Sequence, residues 1–414
     1  MKLSNNSNKI FNKVEEENIP FTEKRVNVRT ASLYIHIPFC NSLCDYCDFF
    51  SVPIKKINDD YIDFFIAALI KDIKNQINFF NIKDIPSVYT GGGTPSVLGK
   101  KIKTLLDALN KLPNFSPREF TVEANPESIT SELFAILRGE GVNRLSLGIQ
   151  TFNQKSRLAV NRTGDTYGLE DRLSLASKYF KGMLSVDLIT GLPYQNTEII
   201  LNDIKRVLSY DVSHISLYSL TIENGTPLYE NINKKIVTLP DSDFCDSLWL
   251  TGRDALLEAG FDHYEVSNFA RHGKQCLHNV RYWQMKSWMG AGPSASGTII
   301  DKESPAAWRY TYPEDMDKYL ESIKTTDSNR SFKNIIDVNK EVLDNDVLLR
   351  ESLLMGFRYK NGPDKKLFKK RFGITIEECI PQTLKKWKGK NKLLFLNGFL
   401  CDAFSELDRK QLIV

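Results

Sequence analysis

No apolar run in this 414-residue sequence is long enough to cross a bilayer. The longest, FFIAALI at 64–70, falls far short of the ~20 residues that a membrane helix needs. Charge of one sign is also missing: 55 Lys and Arg oppose 51 Asp and Glu, a net of +4. With those charges scattered, there is no bulk electrostatic case for nucleic acid. The opening MKLSNNSNKIFNKVEEENIP carries acids early and lacks the apolar core of a signal peptide. Residues 1–31 are therefore expected to form a polar leader, and the protein to be cytoplasmic. Cysteine is too sparse and uneven for a disulfide framework: there are seven, and Cys245, Cys276, Cys379 and Cys401 each stand alone. Dispersed in a reducing compartment, those four read as small buried hydrophobes.

The other three cysteines crowd into CNSLCDYC, residues 40–47, at spacing Cys-x3-Cys-x2-Cys. What they lack is a fourth ligand, since Asp48, Phe49 and Phe50 follow. Cys44 and Cys47 alone would pass as a redox CxxC, but that leaves Cys40 unexplained. A zinc site needs four ligands, and His36 lies inside a predicted strand, poorly placed to swing round. Three thiolates on a four-iron cluster leave one iron open to a ligand that is not protein.

From residue 32 the chain alternates short β-rich runs with amphipathic ones. Strands are expected at 32–37, 87–92, 119–124, 144–150, 184–189 and 214–220. Helices are expected over 58–80, 99–111, 128–139, 153–180 and 197–209. Six β-then-α units in series predict an α/β fold, a parallel sheet curved into a partial (β/α)6 barrel. Each strand ends in a polar, Gly-rich or Pro-rich loop, which is where such folds keep their sites. The organisation expected is a leader at 1–31, the barrel at 32–240, an extension at 241–334 and a smaller, mostly helical C-terminal domain at 335–414. The basic run Lys365–Arg371 reads as a solvated helix face.

The cysteine spacing, the aromatic Tyr46 before the last cysteine, and the position after the first strand resemble the radical S-adenosylmethionine (SAM) superfamily. That resemblance implies Cys40, Cys44 and Cys47 on a [4Fe-4S] cluster whose open iron chelates SAM. One-electron reduction of SAM then yields a 5′-deoxyadenosyl radical. GGGTPS at 91–96 would let backbone approach SAM closely, since Gly91, Gly92 and Gly93 have no side chain in the way.

The strings LYIHIPFCNSLCDYCDFFS, YTGGGTPS, VEANPES, RLSLGIQTFN, NRTGD, VDLITGLPYQ and SLYSLTIENGTPL are similar, in order, to the coproporphyrinogen dehydrogenase (HemN) group. By their places in those motifs, Tyr34, Gly92, Gly93, Thr94, Glu123, Gln150, Arg162 and Asp187 match its SAM-contacting positions. Tyr46 joins them as the aromatic of the cysteine motif. The group's dehydrogenases carry a fourth cysteine two residues after the third, where this chain has Phe49. Its heme chaperone subgroup, HemW, lacks that cysteine and carries HNxxYW, here HNVRYW at 278–283.

That likeness implies heme as a ligand, apoproteins that accept it, and a homodimer as the assembly. His278 or Cys276 would be the axial ligand, Tyr282, Trp283 and Trp288 the walls, and Arg281 a propionate partner. Read without the resemblance, the same aromatics are core anchors and His278 a hydrogen-bonded loop residue. Two readings compete with a heme chaperone: a coproporphyrinogen III dehydrogenase, and a radical SAM enzyme acting on another substrate.

Overall fold

Apolar and polar residues alternate along each predicted strand, and the fold sends the two sets to opposite faces. A computed structural model describes residues 28–162, 164, 166–300, 307–325 and 338–410. β1 (Ser32–Ile37) is followed by a short parallel pair, β2 (Phe39–Cys40) and β3 (Val52–Pro53). Then come β4 (Ser87–Gly92), β5 (Glu119–Ala124), β6 (Arg144–Gln150), β7 (Leu184–Thr190) and β8 (Val212–Ser219). β1, β4, β5, β6, β7 and β8 are consecutive parallel neighbours, the six-strand barrel that the alternation predicts.

Leu33, Ile35, Val88, Val122, Leu145, Leu147 and Val186 are fully buried in the main core. They pack outward against the covering helices α1 (Asp59–Phe79), α2 (Ile102–Asn110), α3 (Ser131–Gly139), α5 (Leu169–Tyr179) and α6 (Thr197–Leu208), while α4 (Gln154–Ala159) lies between β6 and α5 in the chain and adds nothing to this core. Each such side chain contributes ~1.5–3 kcal/mol by leaving water. Asn58, Thr130 and Asn196 cap α1, α3 and α6 by accepting from the backbone N–H three residues on. The single helix expected over 153–180 is instead α4 and α5. Gly164 and Gly168 between them hold φ of 94° and 80°, left-handed backbone that breaks a helix.

After β8 the chain forms α7 (Pro227–Asn233), α8 (Ser242–Glu258), β9 (Asp262–His263), β10 (Asn268–Ala270) and α9 (Leu277–Trp283). β11 (Trp288–Ala291), β12 (Ser296–Ile300), β13 (Ala307–Thr311), α10 (Met316–Thr325) and β14 (Asn339–Leu343) follow. Among the described residues the sheet has twelve strands, in the order β14-β13-β12-β11-β1-β4-β5-β6-β7-β8-β10-β9. β11 pairs parallel with β1, and β14 pairs antiparallel with β13. One sheet therefore runs through both boundaries expected after the barrel, at 240 and 334.

The helical C-terminal region is α11 (Asn345–Phe357), α12 (Lys365–Phe372), α13 (Ile376–Cys379), α14 (Pro381–Lys386) and α15 (Leu396–Lys410). It has its own core, centred on Leu353, Phe357, Ile380 and Phe399, which also takes in Met285, Ile300 and Ala307 from the sheet side. Most of the expected leader, 1–27, lies outside the described residues. Its last residues belong to the barrel: Val28 and Ala31 are buried and Thr30 bridges Asp84. Of the four single cysteines, Cys276 and Cys379 are buried as expected, while Cys245 is half-buried and Cys401 exposed. α15 buries Leu396, Phe399, Leu400 and Ala403 on one stripe, and position 401 falls on the other side of it. Among the described residues no helix is long and apolar enough to cross a membrane.

Candidate functional site

The polar half of each strand's alternation faces the barrel lumen, and it behaves differently at the two ends. At the carboxyl end, β2 and β3 pair in parallel, so the segment bearing all three clustered cysteines is a loop closed at its base. Cys47 N–H donates to the Cys44 carbonyl at 3.1 Å, turning the loop tightly. Asp45 N–H donates to the Val160 carbonyl at 2.9 Å, and Leu228 N–H to the Asp45 carbonyl at 2.8 Å, docking the loop on α4 and α7. All three thiols are half-buried and none is in a disulfide.

Arg162 Nη1 donates to Cys44 Sγ at 3.6 Å, and Cys40 Sγ lies 3.5 Å from Thr94 Oγ1. Burial holds the Cys40 thiol above its ordinary range and pushes Cys47 up to about 11. Protons must therefore leave when metal binds, and the Arg162 guanidinium is placed to compensate the thiolate charge. Among the described residues no three His, Cys, Asp or Glu side chains converge as ligands of a single ion.

The glycine run packs against this loop. Gly93 N–H and Thr94 N–H donate to the Ile37 and Phe39 carbonyls at 2.9 and 2.7 Å. A Cβ on Gly92, whose φ is 107°, would sit 2.6 Å from the His36 ring. One on Gly93 would sit 2.7 Å from the Phe39 carbonyl oxygen, and one on Gly91 2.8 Å from Glu123 Oε2. His36 is fixed at both nitrogens, by Tyr34 Oη and the Phe50 carbonyl, each at 3.0 Å. It is thereby occupied as a wall, not as a ligand.

Further along the mouth, Tyr89 Oη donates to Glu123 Oε1 at 2.7 Å, and Ser146 Oγ to Asp187 at 3.1 Å. Burial, with the Asp187 charge adding to it, pushes Glu123 up to about 7, and burial also raises Asp187. Asn125, which sequence reasoning passed over, ties the mouth together. Its Nδ2 donates to Thr94 Oγ1 at 2.9 Å, and its Oδ1 accepts from Arg162 Nη2 at 2.8 Å. Its signal was its place as the first residue after β5, inside ANPES. Gln150 holds a left-handed φ of 68°, a strained conformation of the kind that gathers at functional sites. Its Oε1, like Arg162 Nε, is buried without a hydrogen-bond partner among the described residues. Tyr46 packs beside Val160, Ile189 and Leu228 under the cysteine loop. Every residue named above for SAM thus reaches the carboxyl half of the lumen or its rim; Tyr34 lies deepest, stacked on Tyr89 at 6.5 Å between centroids.

His278 does not join them. α9 lies across the amino end of the barrel, where Glu119 accepts from the backbone N–H of Leu277 and His278, each at 2.9 Å. Glu119 also accepts from Cys276 Sγ at 3.4 Å and lies 3.7 Å from Arg144. His278 is 1% exposed, with Nδ1 3.1 Å from Ser87 Oγ and its ring between Tyr89 and Tyr282. Burial drives its pKa down to about 3, so the ring is neutral. Nε2 has no hydrogen-bond partner among the described residues. Arg281 is turned to Ser32 Oγ at 2.5 Å, and Tyr282 packs on Trp288. With α9 in this position His278 is covered by protein; of the other neighbours expected around a heme, Trp288 Nε1 donates to the Ser296 carbonyl at 3.1 Å and Trp283 lies under the Arg358 guanidinium at 5.1 Å.

Residues 34–207 match the model of the Radical SAM superfamily. The heme chaperone HemW of Lactococcus lactis is 32% identical over 355 residues, 85% of this chain and 88% of that protein. The chain belongs to the HemW family. HemW of Bacillus subtilis is 30% identical over 86% of this chain and 90% of its own length. The family relationship thus spans most of the chain, beyond the residues matched by the superfamily model. Coproporphyrinogen III oxidase (HemN) of Escherichia coli, described as a radical SAM enzyme, superposes with a TM-score of 0.73 over 92% of this chain and 91% of its own. At 20% identity that likeness establishes the radical SAM, HemN-like fold alone. Membership of a radical SAM family implies SAM and a [4Fe-4S] cluster, and the donor set of the carboxyl mouth fits them. It offers three thiols on one closed loop, a guanidinium at one of them, and buried polar atoms with unused hydrogen-bonding capacity.

Proposed function

We propose that this protein is a cytoplasmic heme chaperone: it binds heme, carries a SAM-ligated [4Fe-4S] cluster, and passes heme to apoproteins, acting as a homodimer. The observation that carries the reading is near-full-length relatedness to proteins named heme chaperone HemW. The position two residues after Cys47 supports it. Phe49 is 65% exposed at the cluster loop, and an exposed phenyl supplies neither a thiolate nor a proton.

In this reading Cys40, Cys44 and Cys47 hold the cluster, whose chemistry when bound is one-electron reduction of SAM. Gly92 and Gly93 admit the cofactor to the backbone, and Thr94 offers a hydroxyl. Glu123 and Asp187 suit its ammonium and ribose hydroxyls, and Arg162 its carboxylate. Gln150 contributes an amide, and Tyr34 and Tyr46 close the sides. His278 serves as heme ligand only after α9 withdraws from the amino mouth.

The alternative is oxidative decarboxylation of coproporphyrinogen III, which the same barrel could host. The deciding experiment incubates anaerobically reconstituted protein with SAM, a reductant and coproporphyrinogen III, and separately with hemin and a heme-requiring apoprotein. The chaperone reading expects hemin binding and transfer without protoporphyrinogen. Protoporphyrinogen at catalytic turnover, with no hemin retained, would replace it by the dehydrogenase.

A further inference from the structure

Gln150 is the central residue of a three-residue turn. Thr151 N–H donates to the Ile149 carbonyl at 2.9 Å across it. With φ at 68° this is the γ-turn whose central residue is strained. β6 bulges at the same point: Gly148 pairs with Asp187 and Gln150 with Leu188, so the register shifts at Ile149. The turn folds the Gln150 amide back over the strand. A Cβ on Gly148 would lie 3.0 Å from Gln150 Nε2, 3.0 Å from Asn125 Oδ1 and 3.3 Å from Arg162 Nη2. Those three groups therefore meet over a residue that has no side chain.

Two buried charged side chains hold the turn. Asp203 stands on α6 and Arg157 on α4, 2% and 0% exposed. Asp203 Oδ2 accepts from Thr151 Oγ1 at 2.6 Å, and its Oδ1 from Phe152 N–H at 3.0 Å. Arg157 Nη1 donates to the Ile149 carbonyl at 2.8 Å, and Nη2 to Glu127 Oε1 at 3.0 Å. The chain is thus fixed on both sides of Gln150. The same bracket reaches the other two groups: the Arg157 carbonyl accepts from Arg162 N–H at 2.9 Å, and Glu127 lies two residues after Asn125.

Glycine would take a φ of this sign without strain. A glutamine held there against strain points to what its side chain reaches, and its Oε1 is buried with hydrogen-bonding capacity unused. We infer that Asp203 and Arg157 are positioning residues for SAM, acting through Gln150 by holding it in the turn that keeps its amide beside Asn125 and Arg162. The inference rests on the SAM reading of the carboxyl mouth and adds to it two residues that sit outside the ring of SAM positions.

The test is calorimetric titration of SAM into the anaerobically reconstituted chain and its variants, with iron per chain and the melting temperature of the metal-free chain recorded for each. Asp203→Asn keeps the shape and loses one of the two acceptors. Arg157→Lys keeps the charge and loses the fork. Gln150→Gly relieves the turn and removes the amide. We expect Asp203→Asn and Arg157→Lys each to weaken SAM binding by roughly five- to tenfold with iron content unchanged. Gln150→Gly should weaken it by a similar factor, and Asp203→Asn should then add nothing on that background, because the side chain it acts through is gone. A role confined to stability would not produce that non-additivity. Thr151→Val removes the hydroxyl bonded to Asp203 and decides the matter in the same cycle if Asp203→Asn does not fold. Parental affinity in folded Asp203→Asn and Arg157→Lys overturns the inference. So does an undiminished effect of Asp203→Asn on the Gln150→Gly background, or a fall in iron content that accounts for the lost affinity. A parent that holds its cluster and binds no SAM overturns the SAM reading, and the inference with it.

Discussion

The two mouths of the barrel are built from the same inward-facing strand positions and end in opposite states. At the amino mouth, Glu119, Ser87, Ser185 and His214 spend their hydrogen bonds on α9, on Tyr264 and on one another. At the carboxyl mouth, glycines stand where any Cβ would strike the neighbouring chain, three thiols stay unbridged, and Gln150 Oε1 has no partner among the described residues. A barrel interior becomes a plug where its polar groups satisfy each other, and a site where they are left over. Exceptions on α9 and the strands beneath it include His278 Nε2, Trp283 Nε1 and Arg144 Nη2, each without a partner among the described residues.

That contrast can be broken by exchanging the kind of damage done at each end. The largest effect belongs to the carboxyl mouth: Cys44→Ala should abolish the iron–sulfur absorption of reconstituted protein while leaving the melting temperature of the metal-free chain nearly unmoved. A comparable fall in melting temperature would mean that the cysteine loop is structural. At the amino mouth, Arg144→Met leaves Glu119 buried without its counter-charge. We expect a loss of ~3–5 kcal/mol in denaturant unfolding, with iron incorporation preserved per folded molecule.

The pH dependence separates the ends further. The folded-state pKa of His278, about 3, lies below its ordinary 6.5, so the unfolded chain binds the proton more readily. Its contribution is fully present above pH 6.5 and is lost as pH falls toward 3, up to ~5 kcal/mol. His278→Gln should flatten that acid-side slope in urea titrations between pH 6.5 and 4; an unchanged slope would show that the imidazole is not buried neutral. A smaller effect is expected for Asn125→Ala, which loosens Thr94 and Arg162 together. SAM affinity by calorimetry should fall several-fold, about 1 kcal/mol, with cluster content retained. Least of all, Lys100→Ala removes an exposed pair with Glu132 and should shift neither midpoint nor affinity.

Much of the carboxyl mouth was legible in advance because it is written locally. The Cys-x3-Cys-x2-Cys spacing, the glycine run and the strand ends are contiguous strings whose meaning survives without neighbours. The strand alternation likewise placed β1, β4, β5 and β6 to the residue. Asn125 was missed because its importance lies in bridging two residues that come from other loops, Thr94 and Arg162. The HNVRYW segment left two readings open, a heme surface or core anchors, because its composition suits either. Only its docking against Glu119 and Ser87, over 150 residues distant in the chain, turns it inward.

The sequence by itself determined the parallel barrel, which face of each strand looks into the lumen, and the three thiols after the first strand. Those follow from period, glycine placement and ligand chemistry, which act over a few residues. Tertiary structure decided the rest: that α9 stops the amino mouth, that one sheet extends through the expected domain boundaries, and that Asp203 of α6 holds the turn at Gln150. Each of these depends on which distant surfaces bury one another, and burial is a property of the assembled chain.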